Sequence, residues 1–138
     1  MKMSPVVHFE LPAIDRDRMV EFYEKTFGWK SQKLGPEMGH YVLVQTCETA
    51  ENGCPTESGR INGGLFLKTE DSKYPSVVIA VEDVREAMKK VETAGGKILG
   101  GQGGAPGEPD NIPGVGLYSA FIDTEGNRIG MLEPSKDM

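Results

Sequence analysis

The sequence predicts an α+β fold built from two tandem βαβββ modules, whose curved half-barrel sheets would surround a central cavity. Three observations predict it. A run of apolar strand, acidic turn, amphipathic segment and glycine, VVHFELPAIDRDRMVEFYEKTFGWK at residues 6–30, returns at residues 76–97 as SVVIAVEDVREAMKKVETAGGK. Each copy is followed by three stretches of strand character. The length of 138 residues suits one compact domain, read here as residues 1–138, with modules at about 5–68 and 75–134.

In the first copy Asp15 can cap a helix whose positions Met19, Phe22, Tyr23 and Phe27 make one apolar stripe, and Gly28 ends it. WKSQKL, HYVLVQT and GGLFLK follow as strands. In the second copy Asp83 is the cap, Glu86 its capping-box partner, and Val84, Ala87, Met88 and Val91 the stripe, stopped by Gly95-Gly96. KILGG, GLYSAFID and RIGMLEP are its strands, the last two joined by a tight turn at DTEGN. Residues 46–62 and the Gly/Pro-rich residues 101–116 read as long loops, either lids or decoration, with Pro106, Pro109 and Pro113 stiffening the second.

Alternation along each strand sorts the side chains by face. If Val7, Phe9 and Leu11 pack under the first helix, then Val6, His8 and Glu10 lie on the opposite face. Likewise Val77, Ile79 and Val81 are core while Ser76, Val78 and Ala80 face the other way, and Ile129 and Met131 oppose Arg128, Gly130 and Leu132. About half of the strand aromatics Tyr41, Phe66, Tyr118 and Phe121 should share the non-helix face. Trp29, after the helix-ending Gly28, is expected to pack on the helix end or at a subunit contact.

A net charge of −6 with 15 scattered basic residues offers no stripe for phosphates, so nucleic acid is not an expected partner. No apolar run reaches the roughly 20 residues a bilayer needs, and the start lacks a signal-like apolar stretch. The expected location is therefore the cytoplasm, away from membranes. Cys47 and Cys54 are read as free loop thiols in preference to a disulfide or redox pair, and two cysteines are too few for a structural zinc site.

His8 and Glu10 are the candidate acid/base groups. An imidazole has an intrinsic pKa near 6.5, which a neighbouring carboxylate would raise, and the two could satisfy one another when buried. His8 can also be read as a structural residue or as a metal ligand.

The stretches VVHFELPAIDRDRMVEFYEKTFGW, NGGLFLK, VIAVEDVREAMKKVETAGGKI and IPGVGLYSAFIDTEGNRIGMLEP resemble the vicinal oxygen chelate superfamily, the fold of glyoxalase I, bleomycin-resistance proteins and extradiol dioxygenases. The small glyoxalase-like bacterial subgroup is the nearest in pattern. The resemblance implies four metal-ligand positions, of which His8 fills the first. The third falls on Ser76, the fourth on Gly130, and the remaining one within NGGLFLK, which has neither carboxylate nor imidazole. Glu133 faces away from Gly130 and reads as a solvated carboxylate. A rearranged set of His8, Glu10 and His40 is the alternative. With so few ligands no cofactor is favoured, and a divalent metal held by His8 is the minority reading.

The resemblance thus implies a binder of a small organic molecule, its pocket lined by His8, Glu10, Ser76, Val78, Arg128 and Gly130, with Arg128 favouring an anionic group. The alternatives are a metal-dependent lyase, isomerase or dioxygenase, and a drug- or metabolite-sequestering resistance protein. A homodimer is also implied.

Overall fold

A computed structural model describes residues 2–100, 107–113 and 115–135. The chain has the α+β fold, a βαβββ module followed by a second with the same plan and one additional short strand. It divides into two compact units, one spanning His8–Ser76 and the other joining the residues up to Val7 to those from Val77 onward.

The first module contains β1 (Val6–Ala13), α1 (Arg16–Phe27), β2 (Lys30–Lys33), a 3-10 turn (Pro36–Met38), β3 (Val42–Gln45) and β4 (Asn62–Leu67). Its strands lie in the order β2-β3-β4-β1, with β1 parallel to β4 and the other pairs antiparallel. The Asp15 carboxylate caps α1 by accepting from Arg18 N at 3.1 Å, and left-handed Gly28 closes it through Glu24 O at 3.0 Å. Val20, Val42, Val44 and Leu65 form the core, with Phe9, Leu11, Met19 and Trp29 packed against it.

The stripe expected on α1 is narrower than its four residues. Val20 is the buried residue of this helix, while Phe22 and Phe27 are 55% and 62% exposed. Phe22 follows Val20 by two positions, which turns it to the far side of the helix. Tyr23 stacks on Trp29 at 4.6 Å, so Trp29 packs against the helix end.

The second module contains β5 (Ser76–Ala80), α2 (Val84–Thr93), β6 (Lys97–Gly100), β7 (Asp110–Ile112), β8 (Gly116–Ile122) and β9 (Arg128–Pro134). The order is β5-β9-β8-β6, with β7 pairing with β8. Val84, Met88 and Met131 make its core, joined by Val81, Ala87, Val91, Ile98, Leu117 and Phe121, so the α2 stripe is as expected. The Asp123 carboxylate organises the hairpin turn by accepting from the backbone N–H of Glu125 and of Asn127, both at 2.9 Å.

Two expectations are corrected here. Strand β7 lies inside the segment read as a loop, because a turn closed by Val115 N to Ile112 O at 3.0 Å folds Asp110–Ile112 back onto β8. Residues 101–106, with Pro106, and residue 114 of that segment lie outside the described residues. Glu133 is not a free solvated carboxylate: its Oε1 accepts from Val84 N at 3.0 Å and so caps α2 alongside Asp83, which accepts from Glu86 N at 3.1 Å.

Residues 48–56 form a hairpin in which Thr56 N reaches Glu48 O, Thr49 bridges Pro55 and Ala50 N reaches Cys54 O. This register places Cys54 beside Ala50, three residues along from Cys47, or about 10 Å, beyond the reach of a disulfide. Both thiols are free.

Candidate functional site

Strand register assembles the first cluster. The parallel β1–β4 pairing sets His8 beside Asn62 and Glu10 beside Gly64, and the antiparallel β3–β4 pairing sets Leu43 opposite Gly64. Two residues before Leu43, Tyr41 faces the same way as His8 and Glu10. Its hydroxyl donates to Glu10 Oε2 at 2.9 Å and lies 3.0 Å from His8 Nε2. A phenol has one proton, and this one is given to the carboxylate. His8 Nε2 must therefore carry the N–H that donates to the phenol oxygen, which leaves Nδ1 as the imidazole's acceptor.

Tyr41 is held in place from below and from behind. Gly64 lies under it so closely that a Cβ there would come within 1.9 Å of the hydroxyl and 2.1 Å of Cζ. Behind it, His40 adopts a left-handed φ of 58°, uncommon for a residue with a side chain. The Arg16 guanidinium secures this turn by donating to His40 O at 2.9 Å and Leu34 O at 3.3 Å. Asn62 ties down the neighbouring loop, accepting from Thr46 N and donating to Thr49 Oγ1, both at 2.9 Å.

Glu10 is buried, and burial also decides the state of His8. Desolvation lowers the imidazole pKa from 6.5 to about 4, the opposite of the rise expected from a nearby carboxylate. The expectation placed Glu10 directly against the ring, whereas the bonded path runs through Tyr41. At neutral pH His8 is an uncharged donor and acceptor and not an acid.

The remaining candidates belong to β5 and β9. Val78 pairs with Gly130, which Ala120 flanks on its other side, and Arg128 is a half-buried residue opposite Ile122 at the start of β9. Gly130 lies under Tyr118, whose ring and hydroxyl would come within 2.9 Å of a Cβ. Ser76 opens β5 with a buried hydroxyl that has no hydrogen-bond partner among the described residues. Elsewhere in the second module, Asn111, Ile112, Gly116, Leu117, Glu133, Pro134 and Ser135 line an open groove of about 270 Å³ that the sequence did not signal.

Among the described residues no three His, Cys, Asp or Glu side chains come together, so His40, which is exposed, does not complete a set with His8 and Glu10. Tyr41 is the member of the cluster that sequence reasoning did not single out. Its alternation with Val42 and Val44, both core, was the available signal.

Among the described residues no helix is long and apolar enough to cross a membrane. Comparisons with known proteins agree on the family. A glyoxylase-like domain-containing protein of Didymella fabae is 31% identical over 123 residues, covering 86% of this chain and 84% of that protein. A probable chloroplastic lactoylglutathione lyase of Arabidopsis thaliana is 27% identical over 126 residues, covering 89% of this chain. The match spans about a third of that relative's length, 34%. The crystal structure of methylmalonyl-CoA epimerase from Mycobacterium tuberculosis shares the fold, with a TM-score of 0.63 at 15% identity over 99% of this chain and 94% of that one. The family model for the Glyoxalase/Bleomycin resistance protein/Dioxygenase superfamily matches residues 6–131, nearly the whole chain, and the protein belongs to that superfamily.

Proposed function

We propose that this chain, as a single glyoxalase-like domain, binds a small organic molecule on the face of the first sheet that carries His8, Tyr41 and Glu10. The observation that carries the reading is the hydrogen-bonded chain from imidazole through phenol to carboxylate. A core needs no such chain, since apolar side chains in its place would cost nothing in unmet hydrogen bonds. The neutral imidazole offers Nδ1 to an O–H or N–H of the ligand. Ser76, with its buried unpartnered hydroxyl, is a second proposed contact. On the second module's own face Val78, Arg128 and Gly130 remain proposed ligand contacts, with Arg128 selecting an anionic group. A cytoplasmic homodimer completes the reading, and light scattering on the purified protein tests the assembly.

A thermal-shift screen of small organic molecules and of divalent metals tests the function. Organic hits whose shift is lost in Tyr41→Phe and reduced in Arg128→Ala are the expected result. Stabilisation by metals alone would replace this reading with a metal-dependent lyase, isomerase or dioxygenase; of these, lyase is the word in the name of the Arabidopsis relative.

A further inference from the structure

The two modules treat one place in the same way. In the first, Leu43 is opposite Gly64 and Tyr41 lies one alternate position along β3; in the second, Ala120 is opposite Gly130 and Tyr118 lies one alternate position along β8. Each tyrosine ring covers its glycine, within 1.9 Å of a Cβ built on Gly64 and within 2.9 Å of one built on Gly130. Gly130 is the fourth ligand position implied by the family resemblance, and Gly64 is its counterpart within NGGLFLK. A carboxylate or imidazole at either place would have to pass through a phenol.

We propose that Tyr41 over Gly64 and Tyr118 over Gly130 have taken the volumes of two metal-ligating side chains, so that the protein holds its ligand with phenol hydrogen bonds and does not bind a first-row divalent cation. This rests on the binding role proposed above and says what replaces the ion. A phenol at neutral pH keeps its proton and is a poor ligand for such ions, while its oxygen can still accept a hydrogen bond from an organic molecule when its proton is engaged elsewhere. The first module shows the replacement fully, because its phenol is already engaged by His8 and Glu10, the two residues that could otherwise begin a metal site.

The test reverses the replacement within the first module. In the double variant Tyr41→Ala with Gly64→Glu, the new carboxylate stands beside Glu10 in register and next to His8 on the same face. Co²⁺ titration of dialysed protein, followed by visible absorption and equilibrium dialysis, should show no stoichiometric binding in wild type. The double variant should bind at least about tenfold more tightly, and lose that gain on His8→Ala. Tyr41→His, which leaves Gly64 untouched, serves the same purpose if the double variant does not fold. One equivalent of Co²⁺ bound by wild type and lost in His8→Ala would overturn the proposal, and so would folded variants that bind no better than wild type. Running the organic screen on wild type separates the two readings. Cation binding together with organic hits sinks only this inference, whereas no organic hit sinks the binding role while the variants still decide the replacement.

Discussion

The non-helix face of the first sheet and that of the second have the same plan and different chemistry. Aligning Asp15 with Asp83 pairs His8 with Ser76 and Glu10 with Val78, and aligning the strand registers pairs Tyr41 with Tyr118 and Val42 with Ser119. The first module places its polar groups on the non-helix face and keeps its core apolar, with Val42 fully buried. The second has Val78 where the first has Glu10, and buries beside Met131 the Ser119 hydroxyl, which has no hydrogen-bond partner among the described residues. The difference shows that a repeated backbone fixes where side chains point but leaves their polarity free, so one module can acquire a site while its copy keeps a plainer surface.

The sharpest way to break this comparison is to crowd both glycines. Gly64→Ala forces Tyr41 off its seat and breaks its hydrogen bond to the buried Glu10, and should cost about 3 kcal/mol or more in urea denaturation. Gly130→Ala, which needs a smaller shift of Tyr118, should cost about 1 kcal/mol. Equal losses would show that the two seats are not graded as the contact distances imply.

Next in size is the pH dependence that His8 gives the first module. The folded pKa of His8, about 4, lies below its unfolded value of 6.5, so the unfolded chain binds the proton first as pH falls. Stability should therefore rise with pH between about 4 and 6.5 and be level above that window, with about 2–3 kcal/mol attributable to His8. Comparing wild type with His8→Gln at both ends of the window isolates this part, since the carboxylates are common to both proteins. An unchanged slope would show that the ring is not desolvated.

Ser119→Ala goes the other way. Removing an unmet buried hydroxyl should stabilise the second module by about 1 kcal/mol, read as a rise in melting temperature. A loss would reveal a partner for that hydroxyl. The smallest effect concerns the helices: Asp15→Ala removes the side-chain cap of α1 and should cost about 1 kcal/mol, whereas Asp83→Ala should cost less because Glu133 continues to hold the α2 terminus.

Much of this arrangement was legible before folding. The caps at Asp15 and Asp83, the stop at Gly28, the α2 stripe and the DTEGN turn are local signals, decided by which residues satisfy nearby backbone groups. Strand parity correctly set Phe9 and Leu11 against His8 and Glu10. The α1 stripe was overdrawn, because helical spacing cannot say how wide a face the sheet will cover, and Phe22 fell outside it.

What the sequence determined by itself was the repeat, its α+β class and the opposite faces of Phe9 with Leu11 and His8 with Glu10, since these follow from backbone periodicity and from short-range hydrogen bonding; it did not foresee that Val7 is exposed and that Val78 is the buried residue of β5. Only the tertiary structure decided that Tyr41 joins His8 to Glu10, that Glu133 caps α2, and that His8 loses basicity. Each of these depends on which distant residues share a buried volume, as Tyr41 does 33 residues from His8 and Glu133 does 49 from Val84. In such a volume the loss of water outweighs what an isolated side chain would do.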